Sequence, residues 1–270
     1  MTHQKKIPTA LTIAGSDSGG GAGIQADLKT FSALGVHGTS AVTCITAQNP
    51  REVRAIAPCA PQMVRRQIEA VFAELPPAAV KTGMLFSREL VRVVIDFFKR
   101  GRRPPLIVDP VLIATSGARL LKTSAIGLLQ KDLLPLAALV TPNLAEAEIL
   151  AAKKIGSLED MRAVAREIQS RYGCAALVKG GHLRGLAQAV DIFFDGRTEL
   201  LLSAPFIRGV RTHGTGCAYS AAITGYLALG CGLPRAVERA KQYITQAIAH
   251  RLVVHGHPVL NCLGIVRSPV

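Results

Sequence analysis

Short apolar runs that each end in glycine or polar residues, with a helix-compatible stretch after most of them, constrain this fold more than any other feature. Residues 10–14, 40–47, 79–82, 106–111, 138–141 and 175–179 are such runs. Each has the length and apolar content of a buried strand. Between them lie stretches with apolar residues at helical spacing. Ile24, Leu28, Phe31 and Leu34 form one, closed by Gly35. Val64, Ile68, Val71 and Phe72 within 61–73 form another, and Leu90, Val94, Ile95 and Phe98 a third. A last helix is predicted over about 234–252. Asp195-Gly196 between runs 189–194 and 199–204 is a hairpin signal. Strands alternating with helices predict an α/β fold: a central, mostly parallel sheet with helices on both faces, in three layers. No linker, repeat or low-complexity segment interrupts the 270 residues, so 1–270 reads as a single domain.

The first run ends in Gly15-Ser16-Asp17-Ser18-Gly19-Gly20-Gly21-Ala22-Gly23. A strand, a glycine-rich loop and a helix invite a dinucleotide-binding reading. The G-x-G-x-x-G spacing with a later acid is missing, so the glycines suggest instead a backbone lying close against a ligand. Asp27, one turn into the following helix, suits either pairing with the helix dipole or a carboxylate reaching back over the loop. A second glycine-rich stretch, Thr212-His213-Gly214-Thr215-Gly216-Cys217, opens an uncharged helix-compatible run. Such a turn aims backbone N–H groups at one spot, a place for a phosphate. Cys217 would stand in the first turn, where thiol pKa values tend to fall. Taken alone, the stretch also suits a plain helix start with a buried structural cysteine.

Other chemistry collects at the strand ends. Gln48-Asn49-Pro50 offers amide groups to a polar ring, or simply a turn. Asp109 ends one run, Lys179 another, and Asn143 and Glu146 share a face of a helix start. Thr115-Ser116-Gly117 reads as a polar loop or lid. In an open parallel sheet these ends face one crevice. Together they form a phosphoryl-transfer set: N–H donors and a lysine for phosphate charge, and carboxylates with an amide for Mg2+, directly or through water. No P-loop or protein-kinase signature is present.

Composition excludes other classes. The net charge is +14, but the 32 basic residues form no dense stripe with interleaved aromatics. A solvated basic surface that attracts anionic substrates is expected, and no nucleic acid. No apolar run reaches membrane-spanning length, and the N-terminus lacks a signal-peptide pattern. The six cysteines form no C-x-x-C pair, which argues against a disulfide framework or zinc and for a reducing, cytoplasmic setting.

The motifs carry a family resemblance. Residues 15–30, Thr46-Ala47-Gln48-Asn49, Lys81-Thr82-Gly83-Met84-Leu85, Val108-Asp109-Pro110-Val111 with Ala114-Thr115-Ser116-Gly117, Thr141-Pro142-Asn143 with Glu146, Val178-Lys179-Gly180-Gly181-His182 and residues 212–217 resemble, in order, the hydroxymethylpyrimidine/phosphomethylpyrimidine kinases of thiamine biosynthesis. The resemblance covers nearly the whole chain. It implies a ribokinase-like fold, a homodimer, and ATP-dependent phosphorylation of 4-amino-5-hydroxymethyl-2-methylpyrimidine and then of its monophosphate. It further implies that Gly15, Asp27, Gln48, Met84 and Val111 bind the pyrimidine and that Lys179 meets the ATP phosphates. Asp109, Asn143 and Glu146 would organise Mg2+, Gly214, Thr215 and Gly216 would form the anion hole, and Cys217 would be catalytic, where the wider superfamily usually places an aspartate. Val210-Arg211 departs from the asparagine that members often carry there. Two alternatives remain at this level: a pyridoxine or pyridoxal kinase of the same superfamily, and a non-catalytic domain that senses the pyrimidine. Gln48-Asn49 and Met84 favour the pyrimidine over the pyridoxine ring; Lys179 and Cys217 argue against an idle domain.

Overall fold

The computed structural model describes residues 6–101, 103–112, 120–181, 183, 187–207 and 213–263. β1 (Thr9–Ala14) leads through the first glycine-rich loop to α1 (Gly23–Ala33) and then β2 (His37–Val42). β3 (Cys44–Gln48) and β4 (Val53–Pro58) follow as a separate antiparallel ribbon. The alternation resumes with α2 (Pro61–Glu74), β5 (Ala79–Thr82), α3 (Arg88–Phe98), β6 (Leu106–Val108), α4 (Thr123–Leu128), β7 (Leu139–Val140), α5 (Leu144–Ala151), α6 (Leu158–Tyr172) and β8 (Ala175–Lys179). β9 (Gln188–Phe194) and β10 (Glu199–Pro205) form a hairpin. α7 (Thr215–Ala228), α8 (Leu233–Ala249) and a last ribbon of β11 (Leu252–Val254) and β12 (His257–Val259) complete the described chain.

Eight strands make one sheet in the order β10-β9-β8-β7-β6-β5-β1-β2. The pairs from β2 to β8 are parallel, and β9 and β10 are antiparallel at one edge. Successive side chains of a strand point to opposite faces. Val108, Val140 and Val178 therefore meet α3, α5 and α6 on one face through Val94, Leu150 and Ile168. Ile107, Leu139 and Leu177 meet α7 and α8 on the other through Ala222, Ile223, Val237 and Ile244. Burial on both faces is why the runs are apolar without alternation. Each such side chain contributes about 1.5–3 kcal/mol when removed from water. The mostly parallel sheet with helices on both faces matches the expected architecture.

Three boundaries differ from the sequence reading, each for a local reason. The run 40–47 is two strands rather than one. At Thr43 the backbone N–H bonds Ala14 O at 2.9 Å and the hydroxyl donates to Met84 O at 2.6 Å, which turns the chain out of the sheet. β-branched residues suit the sheet and the ribbon equally, so the break left no trace in composition. The run 106–111 ends as a strand at Val108; Pro110 has no N–H for a ladder, and Val111 adopts φ +40°. The last helix ends at Ala249, because Leu252, Val253 and Val254 pair with residues 257–259 instead.

Candidate active site

The loop after β1 is folded around a carboxylate. Asp17 Oδ1 accepts from Gly19 N–H at 2.8 Å, and Oδ2 from Gly21 N–H at 3.1 Å and Ala22 N–H at 2.8 Å. The Asp17 side chain is 1 % exposed. Burial pushes its pKa up, but the bonds from His213, Gly19 and Ala22 prevail and hold it below the ordinary carboxylate value. The loop's N–H groups therefore turn on an internal anion, which gives these glycines a use the sequence did not suggest.

The second glycine-rich stretch interlocks with the first. Gly214 caps α7 at φ +85°, and a Cβ there would lie 1.7 Å from Gly21 O. A Cβ on Gly216 would lie 3.2 Å from Lys179 Nζ, so the lysine's ammonium stands against the start of α7. Lys179 Nζ is 3.2 Å from Asp109 Oδ1, and Ser220 Oγ of α7 donates to Asp109 Oδ2 at 3.0 Å. Burial lowers an amine's pKa, yet Asp109 and Glu146 hold Lys179 above its ordinary value. The first N–H groups of a helix have no partner within it, so a cation and backbone donors converge on one point.

Glu146 and Asn143 form a capping box at the start of α5. Asn143 Oδ1 accepts from Glu146 N–H at 3.0 Å, and Glu146 Oε2 from Asn143 N–H at 2.9 Å. Glu146 Oε1 also accepts from Leu112 N–H at 3.1 Å, which fixes the turn containing Val111. Burial raises the Glu146 pKa, opposed by Lys179. Among the described residues no three His, Cys, Asp or Glu side chains are grouped to hold a metal ion. With the capping oxygens engaged, the set suits Mg2+ held through its waters better than three direct ligands.

The ribbon β3–β4 carries Gln48 over the first loop. Gln48 N–H donates to Ser18 Oγ at 2.8 Å, and its Nε2 lies 2.9 Å from His213 Nε2. Met84 Sδ lies 3.5 Å from where a Cβ on Gly15 would stand, so these two predicted residues share one wall.

Two expectations are corrected. Asp27 does not reach back over the loop. It is wholly buried, its Oδ1 is 2.6 Å from Lys81 Nζ and its Oδ2 accepts from Thr12 Oγ1 at 2.7 Å. Helical periodicity points it inwards, where the lysine one element away is its counter-ion. Cys217 has no lowered pKa. Burial pushes its thiol up to about 11; Lys81 opposes that rise, while Asp27 and Asp109 add to it. Desolvation outweighs the helix end, and the thiol is protonated at neutral pH.

Asp17, Lys81, His213 and Ser220 were not singled out from sequence. Three of them lie in the motifs: Asp17 in the first glycine-rich loop, Lys81 in the strand end 81–85 and His213 in the second loop, while Ser220 follows one turn later on α7. The lid reading at Thr115-Ser116-Gly117, and Ala114, His182, Val210, Arg211 and Thr212, fall outside the described residues.

Sheet order, flanking helices and this crevice define a small-molecule kinase of ribokinase-like architecture. A family model described as phosphomethylpyrimidine kinase matches residues 17–260. A hydroxymethylpyrimidine/phosphomethylpyrimidine kinase of Rhizobium meliloti (strain 1021) is 51% identical over 242 residues, 89% of this chain and 90% of that protein. The crystal structure of a phosphomethylpyrimidine kinase from Clostridium difficile 630 aligns with TM-score 0.79 and 47% identity, over 90% of this chain and 100% of that one. A pyridoxal kinase from Staphylococcus aureus, solved with AMP-PCP and pyridoxal, aligns with TM-score 0.88 and 31% identity, over 98% of this chain and 96% of that one. The chain belongs to the phosphomethylpyrimidine kinase family.

Proposed function

We propose that this protein transfers the γ-phosphoryl group of ATP to 4-amino-5-hydroxymethyl-2-methylpyrimidine and then to its monophosphate, a route that serves thiamine biosynthesis. The observation that carries the reading is the convergence of Lys179 Nζ, Asp109 and the start of α7, with 3.2 Å between the ammonium and the Asp109 carboxylate. Lys179 and the N–H groups after Gly214 meet the negative charge that spreads over the transferring phosphoryl oxygens. Mg2+, when bound, would neutralise phosphate charge, and Asp109, Asn143 and Glu146 would hold it through water. Gln48 pairs its amide with the ring, and Gly15, Met84 and Val111 line it; Asp27 acts from beneath through Lys81. Cys217 accepts the substrate hydroxyl proton late in transfer through its thiolate; the raised pKa makes that thiolate a strong base but leaves it scarce at neutral pH, so the step quickens as pH rises. We read residues 1–270 as one kinase domain that works in the cytoplasm as a homodimer.

A pyridoxal kinase is the second reading, favoured by the fold match to the Staphylococcus aureus enzyme. The higher sequence identity to phosphomethylpyrimidine kinases outweighs it. ATP turnover with the hydroxymethylpyrimidine, its monophosphate and pyridoxal as acceptors tests both. Turnover with the two pyrimidines at least about a hundredfold above that with pyridoxal, in kcat/KM, is expected. A preference for pyridoxal overturns the proposal, and ATP turnover with none of the three leaves only a sensing role.

A further inference from the structure

His213 stands between the two glycine-rich loops and the ribbon, and one of its nitrogens is claimed twice. Its Nε2 is 3.0 Å from Asp17 Oδ2 and 2.9 Å from Gln48 Nε2. A ring nitrogen either donates a proton or accepts one. Donating to Asp17, it faces the amide NH2 of Gln48 with no lone pair to offer. Accepting from Gln48, it turns a lone pair towards a carboxylate oxygen. Turning the Gln48 amide over removes the clash, but then both oxygens compete for one proton. The imidazole is also closely held: a Cβ on Gly21 would lie 3.1 Å from its Cδ2. The next residue is Gly214, whose backbone interlocks with Gly21.

We propose that His213 is a positioning residue that competes with the ring for the Gln48 amide and links ring binding to the anion hole. The inference rests on the reading of Gln48 as the ring-recognition residue. An aminopyrimidine edge offers an acceptor nitrogen beside an amine donor, so each atom of the Gln48 amide finds its own partner and the imidazole is released. His213 Nε2 then gives its proton to Asp17 alone. That bond, 3.0 Å long already, then holds residue 213 on the first loop without a competitor and steadies Gly214 and the α7 donors. Breaking the Gln48–His213 contact weakens ring binding, as any pre-equilibrium does; the ordered anion hole returns the gain in the chemical step.

The test separates binding from turnover. In His213→Phe the pyrimidine Kd, measured by calorimetry without ATP, tightens by about threefold or more, while kcat falls by about tenfold or more. His213→Gln, with donor and acceptor on separate atoms, recovers kcat to within about threefold of the unaltered protein. A merely structural histidine moves Kd the other way or not at all, and that result overturns the proposal. In the unaltered protein the His213 ring proton resonances shift when the pyrimidine is added; no shift also overturns it, without reliance on a variant that folds poorly. Gln48→Ala separates the two levels. If it leaves the pyrimidine Kd unchanged, the reading of Gln48 falls and takes this one with it. If it weakens Kd while His213→Phe does not tighten it, only the linkage through His213 falls.

Discussion

At the scale of the residue, Cys217 shows how burial overrides a local rule. A helix N-terminus lowers a thiol's pKa, but desolvation and two carboxylates lift this one to about 11. The thiolate fraction should then rise about tenfold per pH unit from neutrality towards pH 10. Iodoacetamide labelling of Cys217, read by peptide mass spectrometry, should follow that slope; a plateau near pH 8 would mean an activated thiol. Cys217→Ala should cost about 10²–10⁴-fold in kcat with the fold intact, the usual contribution of a positioned base. A loss within about threefold would leave charge stabilisation as the whole mechanism. Gln48→Ala should cost about 1–3 kcal/mol of pyrimidine binding and leave ATP affinity alone, because a buried ring donor or acceptor loses its partner.

At the scale of the element, the loops matter through backbone rather than side chains. Gly214→Ala brings a Cβ to 1.7 Å from Gly21 O at a left-handed φ of +85°, so the two loops must separate. Both phosphorylations should fail together in this variant, since both are assigned to one anion hole; loss of only one would demand a second site. Much at this scale was legible. The alternation of strands and helices over the first half, the hairpin turn at Asp195-Gly196 and the uncharged α7 follow from periodicity and turn chemistry, whereas α4 and α6 went unread. The ribbon β3–β4 was not, since its residues fit the main sheet as well, and only hydrogen bonds at Thr43 send them elsewhere. Nor was the burial of Asp27. Sequence puts it one turn into a helix but cannot say that the neighbour on that face is Lys81.

At the scale of the whole molecule, two buried ion pairs flank the crevice: Lys81 with Asp27, and Lys241 with Asp191 at 2.7 Å, whose other oxygen accepts from Gly180 N–H. Replacing one partner leaves an uncompensated buried charge. Lys81→Met or Lys241→Met should therefore destabilise by about 3–5 kcal/mol, seen as an earlier midpoint in urea. Equal stability would show that the remaining carboxylate takes up a proton at little cost. The interlock of Gly21 with Gly214 has a further consequence, for how such a protein can change its diet. Gly214 tolerates no side chain, because a Cβ there would fall on the Gly21 carbonyl, so this seam resists gradual alteration. The ribbon is built differently: it is outside the main sheet, and its residues 46–48 touch the first loop mainly through side chains and single backbone bonds. A library randomised at residues 46–48 should yield variants with altered ring preference, whereas one randomised at Gly214 should yield inactive protein throughout.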